Sequence, residues 1–316
     1  MTLIPYGWVA RRQAAFSVYA SDGLVPGRVV GEHRTHYQVA LGGIEVSALA
    51  PGRLRNASAV RSDLPGVGDF VALRPSPADG PATIEAVLPR TTALIRKASG
   101  KETPQLLAAN IDVVFVVSGL DGDFNVARVK RFLTLVRDSG AMPVIVANKT
   151  DVSKDAEAAA RQLAEAAPGV ALHAISARQG SGVGELEAYF DGNRTIVLIG
   201  SSGAGKSTLI NKLLGEDRQV TGTVRGHDSR GRHTTIDRQL FLRPGGGAII
   251  DTPGMRGLEV WNETEPAARD FDDVENLARQ CKFSNCRHLS EPGCAVRAAI
   301  ARGDLDAARL AEYSKG

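Results

Sequence analysis

The chain has 316 residues, 43% of them hydrophobic, which is enough to bury the cores of two or three domains and too apolar for a disordered tail. Its 38 Lys and Arg against 35 Asp and Glu leave a formal net charge of +3, so whole-molecule charge gives little reason to expect a nucleic-acid partner and local charge has to decide. The opening residues MTLIPYGWVARRQ lack the apolar run of a signal peptide, and no stretch approaches the roughly 20 apolar residues that cross a bilayer, so the expectation is a cytoplasmic protein with no membrane partner.

From Leu24 to Leu88 the pattern is one of short strands: Tyr37, Val39 and Leu41, then Ile44 and Val46, alternate with polar residues between Gly-Gly, Pro-Gly and Pro-rich turns. That texture predicts a small β-barrel within residues 1–88, either an OB-fold, the five-stranded barrel that binds single-stranded nucleic acid, or another barrel of the same size. Past Ala109, strand-length apolar runs at Ile111 to Val117, Val144 to Ala147, Val170 to Ile175 and Ile196 to Ile199 are separated by helical stretches such as Val126 to Asp138. Continuous apolar strands alternating with helices predict an α/β domain with a buried parallel sheet, over residues 89–260. Residues 261–316 are charged and helical, with Ala295 to Arg302 and Leu305 to Tyr313 as candidate helices around a Cys/His cluster.

Within the α/β region, GSSGAGKST runs from Gly200 through Ser201, Ser202, Gly203, Ala204, Gly205, Lys206 and Ser207 to Thr208, between the apolar strand Thr195 to Ile199 and the helical LINKLL. Strand, glycine-rich turn and helix are the context a phosphate-binding loop requires. Its glycines let backbone N–H groups turn toward phosphates, Lys206 reaches the β and γ phosphates, and Ser207 can ligate magnesium. Asn148, Lys149, Thr150 and Asp151 follow the strand PVIVANK. Asp151 can accept paired hydrogen bonds from guanine N1–H and its exocyclic amine, a donor pattern adenine lacks, while Asn148 and Lys149 brace the loops. The strand ending in Ile175, Ser176 and Ala177 offers backbone N–H groups to the same base. Asp251 to Gly254, DTPG, closes the strand Ala248 to Ile250, so Asp251 can hold a magnesium-bound water while the Gly254 N–H senses the γ-phosphate. Upstream, GRHTTI carries Thr234 and Thr235, of which Thr235 is the favoured magnesium ligand. The surrounding region is locally basic, with Arg225, Arg230, Arg232, Arg238, Arg243, His227 and His233 against Asp228 and Asp237, a pattern that fits either a phosphate-facing loop or a solvated face.

All three cysteines fall between Cys281 and Cys294, and Cys281, Cys286, His288 and Cys294 form a Cys-x4-Cys-x-His-x5-Cys cluster. Three thiolates and an imidazole complete a closed tetrahedral zinc site with no open catalytic position, one structural ion per chain.

The motif order is permuted: the guanine motif and Ile-Ser-Ala precede the phosphate loop, GRHTT and DTPG. That order, with a β-rich region before it and the Cys/His cluster after it, resembles the RsgA (YjeQ) family of small ribosomal subunit biogenesis GTPases over nearly the whole chain. KFSNCRHLSEPGCAV resembles the family's zinc region, and DFNVARVKRFL and ANIDVVFVVSG its GTPase segments. The resemblance implies a circularly permuted P-loop GTPase domain between an OB-like RNA-binding barrel and a helical zinc-binding domain. It also implies GTP hydrolysis to GDP and phosphate with magnesium, stimulated by the 30S subunit, in late 30S maturation and with rRNA as a partner. Where Ras-like enzymes place a water-positioning Gln after DTPG this chain has Met255, so resemblance and position nominate His233 for that role. Two features set limits. The chain ends at Gly316, soon after Ala308 and Arg309, so contacts of a longer tail are not carried over, and Gly203 stands where potassium-activated GTPases place Asn, so no monovalent-cation requirement is expected. A monomer is expected.

Overall fold

The computed structural model describes residues 2–33, 36–52, 54, 61–76, 80–96, 104–215 and 238–251, together with 274, 277, 278, 280, 281, 283, 286, 288, 289, 291–306 and 310. The chain divides into two compact units, Met1–Arg256 and Gly257–Gly316. Among the described residues no helix is long and apolar enough to cross a membrane.

In the first unit, strands β1 (Val25–Glu32), β2 (Tyr37–Ala40), β3 (Glu45–Leu49), β4 (Phe70–Arg74) and β5 (Ala82–Val87) close on themselves in the order β1-β2-β3-β5-β4, with β4 returning to β1. Neighbours are antiparallel except β3 and β5, which pair in parallel at Ala48↔Ala82 and Leu49↔Thr83. That five-stranded closure is the OB architecture, chosen here over the generic barrel. Alternation puts Val29, Val39, Ala48, Val71, Leu73 and Ile84 inside, all fully buried. A helix not anticipated from the sequence, α1 (Ala10–Ala20), packs Phe16 against Phe70, Ala72 and Leu88. Its apolar residues are too few for a strong helical stripe, so the barrel, and not the helix's own periodicity, holds it in place.

After the two-stranded ribbon β6 (Ala93–Arg96) and β7 (Gln105–Ala109), the remaining strands form the predicted parallel sheet. β8 (Val113–Gly119), β9 (Met142–Asn148), β10 (Ala171–Ala174), β11 (Thr195–Ile199) and β13 (Ala248–Asp251) run parallel in the order β10-β9-β8-β11-β13, with β12 (Arg238–Leu242) antiparallel beyond β13. Both faces of β8 and β11 are buried, which explains their unbroken apolar runs. Helices α2 (Val126–Ser139), α3 (Ala156–Ala166) and α4 (Lys206–Leu214) begin where their sequences signal it. The Asn125 side chain accepts the Arg128 N–H, and the Asp155 side chain accepts that of Ala158. Gly140 ends α2 in the left-handed region at φ 78°. Phe115, Ile196, Leu198, Leu209, Leu213 and Ile249 fill the core between sheet and α4. Because the strands are parallel, the C-terminal ends of β8, β9, β10, β11 and β13 share one edge, where α/β sheets bind their ligands.

The second unit has a small core of Val274, Cys294, Val296, Ala299 and Leu305 around α5 (Ala295–Arg302). Leu305 and Asp306 are not helical, and most of the second candidate helix, up to Tyr313, lies outside the described residues.

Candidate functional site

Three loops converge at the C-terminal edge of the sheet around a cleft of about 340 Å3, lined among others by Asn148, Lys149, Asp151, Ala177, Gly205 and Thr208. One buried side chain joins them. Asn148 Nδ2 donates to the Ala204 carbonyl of the glycine-rich loop at 2.8 Å, and its Oδ1 accepts the Ala177 N–H at 2.9 Å. The Ser176 hydroxyl donates to Asp151 Oδ1 at 2.7 Å and accepts the Gln179 N–H, and Thr150 N–H bonds the Ile175 carbonyl at 3.1 Å. The loops at 148–151 and 175–179 are therefore one hydrogen-bonded body, with the Asp151 carboxylate lining the cleft.

The glycine-rich loop leaves β11 at Gly200, whose φ of 149° and close approach to the Val117 carbonyl admit only glycine. Ser201 and Ala204 are buried, Ser202 and Gly203 exposed, and Gly205 begins α4 without a side-chain cap. An uncapped helix start is a place where backbone N–H groups can hold an anion. Lys206 Nζ donates to the Gly200 and Ser201 carbonyls at 2.6 and 2.5 Å, folding its ammonium over the loop. Asp251 closes β13, three strands over from β9, and is half-buried. His233, Thr234, Thr235, Gly254 and Met255 lie outside the described residues, as do Arg225, His227, Asp228, Arg230, Arg232 and Asp237.

The structure adds residues that the sequence reading gave no role. Asp121, after β8, pairs with Lys149 Nζ and lines the cleft, as does Arg178. The hydrogen bond from Lys149 holds the Asp121 carboxyl below the usual carboxylate range. Asp123 is lowered first by Arg128, which donates to it at 2.6 Å, and further by the Ser201 hydroxyl of the phosphate loop. A signal for both was present: GLDGDFN is an acidic, Gly-flanked turn at the C-terminal end of a buried strand, the place where such sheets put ligand-facing groups.

In the second unit the four side chains of the Cys/His cluster offer ligand atoms that all lie within 4.8 Å of one another. Cys281 Sγ and Cys294 Sγ are 3.8 Å apart, and His288 Nδ1 stands 3.6 Å from the first and 3.4 Å from the second. Two thiolates at about 2.3 Å from one tetrahedral ion are separated by about 3.8 Å, so Cys281, His288 and Cys294 already stand at the spacing of a four-coordinate metal site, with the Cys286 thiol within 4.8 Å of them. Cys294 also caps α5, accepting the Arg297 N–H at 3.5 Å.

The family model described as RsgA GTPase matches residues 87–261, more than half of the chain. A small ribosomal subunit biogenesis GTPase RsgA of Opitutus terrae is 45% identical, covering 100% of this chain and 89% of that protein. The chain belongs to the RsgA family of GTPases. A second RsgA relative, RsgA 2 of Lactiplantibacillus plantarum, is 43% identical over 100% of the chain and 88% of its own. The crystal structure of YjeQ from Thermotoga maritima matches with a TM-score of 0.57 at 28% identity, covering 92% of this chain and 96% of that one. The fold of YloQ, a circularly permuted GTPase, matches with a TM-score of 0.53. As an RsgA-family GTPase, the chain has its phosphate loop between strands that precede it in sequence (β8) and follow it (β13), which is the permutation seen as topology.

Proposed function

We propose that this RsgA-family enzyme hydrolyses GTP to GDP and phosphate as a monomeric cytoplasmic factor in late maturation of the 30S ribosomal subunit, stimulated by that subunit and bound to its rRNA. The observation that carries the reading is the Asn148 bridge: a single side chain bonded to Ala204 and Ala177 ties the phosphate loop to the base loops, so base and phosphates would be read by one rigid frame. The ribosomal assignment is supported by the names of relatives that match the chain over its whole length.

In this reading residues 1–88 form the RNA-binding barrel, 89–260 the GTPase domain and 261–316 the zinc-binding domain. Asp151 pairs with guanine, braced by Ser176; the Ser176 and Ala177 N–H groups frame the base. The N–H groups of the loop from Gly200 to Thr208 and the Lys206 ammonium take the phosphates, with the ammonium exchanging its two loop carbonyls for phosphate oxygens. Ser207 and Thr235 would hold magnesium, with Asp251 acting on it through water, and the Gly254 N–H would contact the γ-phosphate. Magnesium, when bound, neutralises charge on the β and γ oxygens. His233 orients the water that attacks the γ-phosphorus as the β–γ bridging P–O bond breaks. Cys281, Cys286, His288 and Cys294 would hold one structural zinc, four protein donors leaving no position open for catalysis.

The test is GTP turnover by purified protein with and without 30S subunits, using 50S subunits and Lys206→Ala as controls. Stimulation specific to 30S and lost in Lys206→Ala is the expected result. Turnover that ignores 30S removes the ribosomal assignment and leaves the GTPase.

A further inference from the structure

The cysteines of the second unit do not share one environment. Cys281 is half-buried and within reach of solvent, whereas Cys294 is 7% exposed and belongs to the core with Val274, Val296, Ala299 and Leu305. Cys294 Sγ is also the N-cap of α5, accepting the Arg297 N–H at 3.5 Å. The Cys281 and Cys294 sulfurs stand 3.8 Å apart, so a movement of about 2 Å brings them to the roughly 2.05 Å of a disulfide bond. A solvent-reachable thiolate touching a second, buried one is the arrangement in which the first is oxidised and the second resolves it.

We propose that Cys281 and Cys294 are a redox modification site: a hydroperoxide joins them in a reversible disulfide, which empties the metal site and loosens the second unit. The proposal rests on the reading of the cluster as a zinc site, since metal binding keeps cysteine sulfurs in the reactive thiolate form. The Cys281 thiolate attacks one peroxide oxygen, the O–O bond breaks, hydroxide leaves and Cys281 becomes a sulfenic acid. The Cys294 thiolate then attacks the Cys281 sulfur; the S–S bond forms and the S–O bond breaks, releasing a second hydroxide. The two sulfurs lose two electrons, the peroxide gains them, and two protons from solvent convert both hydroxides to water. Cys286 and His288 are the donors left over, and two protein donors do not make a closed four-coordinate site. The same bond draws Cys294 away from the Arg297 N–H, so α5 loses its cap as the core loses its metal-held side chain. Every described residue of the nucleotide cleft lies in the first unit and takes no part in the bond.

The test uses the full-length wild-type protein, with its zinc content measured first. Each cysteine falls in its own tryptic peptide: Gln280–Lys282 carries Cys281, Phe283–Arg287 carries Cys286 and His288–Arg297 carries Cys294. Stoichiometric hydrogen peroxide is added, zinc release is followed with a chromogenic chelator, and free thiols are alkylated before digestion and mass analysis. The expected result is loss of the zinc, a linked species joining Gln280–Lys282 to His288–Arg297, and alkylation of Cys286 alone, where chelation without oxidant exposes all three thiols. Dithiothreitol with added zinc should restore the metal content, and the GTP Kd should stay constant throughout. Zinc retained after peroxide overturns the proposal, as does a disulfide that uses Cys286, oxidation that dithiothreitol does not reverse, or a GTP affinity lost together with the ion. Protein that carries no zinc before oxidation and takes none up removes the zinc reading itself, and the proposal with it.

Discussion

A methyl group at Gly205 would overlap Asn148 Nδ2, and the residue's φ of 93° disfavours any side chain. Gly203, also at positive φ (75°), has nothing within 4 Å of an added Cβ. Gly205→Ala therefore pushes out the side chain that joins phosphate and base loops, whereas Gly203→Ala only strains its own backbone. Losing the two Asn148 bonds is worth about 1–3 kcal/mol, or roughly five- to a hundredfold in GTP Kd. Titration of GTP into both variants checks it, and equal affinities would show that Asn148 is not the joint. The Asp121–Lys149 pair makes a pH-dependent prediction. Its hydrogen bond lowers the folded Asp121 pKa, so its stabilisation is fully present above the ordinary carboxylate value and is lost as pH falls through the lower folded one. The stability difference between wild type and Asp121→Asn, taken from urea unfolding, should be level from pH 7 down to about 5 and shrink below about 4. A difference that is constant down to pH 3 would mean the carboxylate charge is irrelevant.

At the scale of elements, Arg28 on β1 joins the barrel to the parallel sheet. Fully buried, it donates to Thr195 Oγ1 at the start of β11 (2.8 Å), to the Tyr6 carbonyl (2.5 Å), and to the Gly68 and Asn110 carbonyls (3.1 Å each), with its guanidinium 4.7 Å from the Phe70 ring centre. Burial, and then the neighbouring Arg12, push its pKa down to about 9, so it is still charged at neutral pH. Arg28→Met keeps the aliphatic volume but strands several buried acceptors, a loss of about 3–5 kcal/mol. An unfolding free energy from urea titration that falls by less than about 1 kcal/mol would show that water satisfies these carbonyls in the variant. None of this was legible in the sequence, because a lone Arg in the run VPGRVVGE reads as a solvated barrel residue, and its four partners come from segments far apart in the chain. What was legible depended on local rules: Tyr37 and Val39 alternate because one face of β2 is the barrel core, β11 reads as unbroken Thr195–Ile199 because both its faces are covered, and α2 stops at Gly140 because only glycine takes that φ easily. The loops around Asn148, Lys149, Asp151 and Gly205 were legible for the same reason, since nucleotide chemistry fixes residue types at short spacing. Asp121 and Asp123 were legible only as an acidic turn at the end of a buried strand, since Lys149 and Ser201, which bond them in the cleft, come from later loops that only the fold brings to them.

At the scale of the whole molecule, the two units differ in what their described cores are built around. The first, Met1–Arg256, contains the barrel core and the sheet core, each closed without help from the Cys/His cluster. The described core of the second consists of Val274, Val296, Ala299 and Leu305 with Cys294, one of the cluster's own side chains, against which Cys281 and Cys286 pack. Because metal-binding side chains are themselves part of this described core, the free energy of metal binding is coupled to the free energy of folding. Chelating the metal from the purified protein should therefore unfold residues 257–316 and leave the first unit intact. The readouts are release of one zinc with three newly reactive thiols, proteolytic trimming that stops near residue 257, and an unchanged GTP Kd, because every described residue of the nucleotide cleft lies in the first unit. Protonating the thiolates should do what the chelator does, so mild acid should release the ion in the same range of pH in which the trimming begins. A GTP affinity that falls together with the metal would show instead that the second unit supports the nucleotide site, and intact thiols after chelation would show that the cluster closes without an ion.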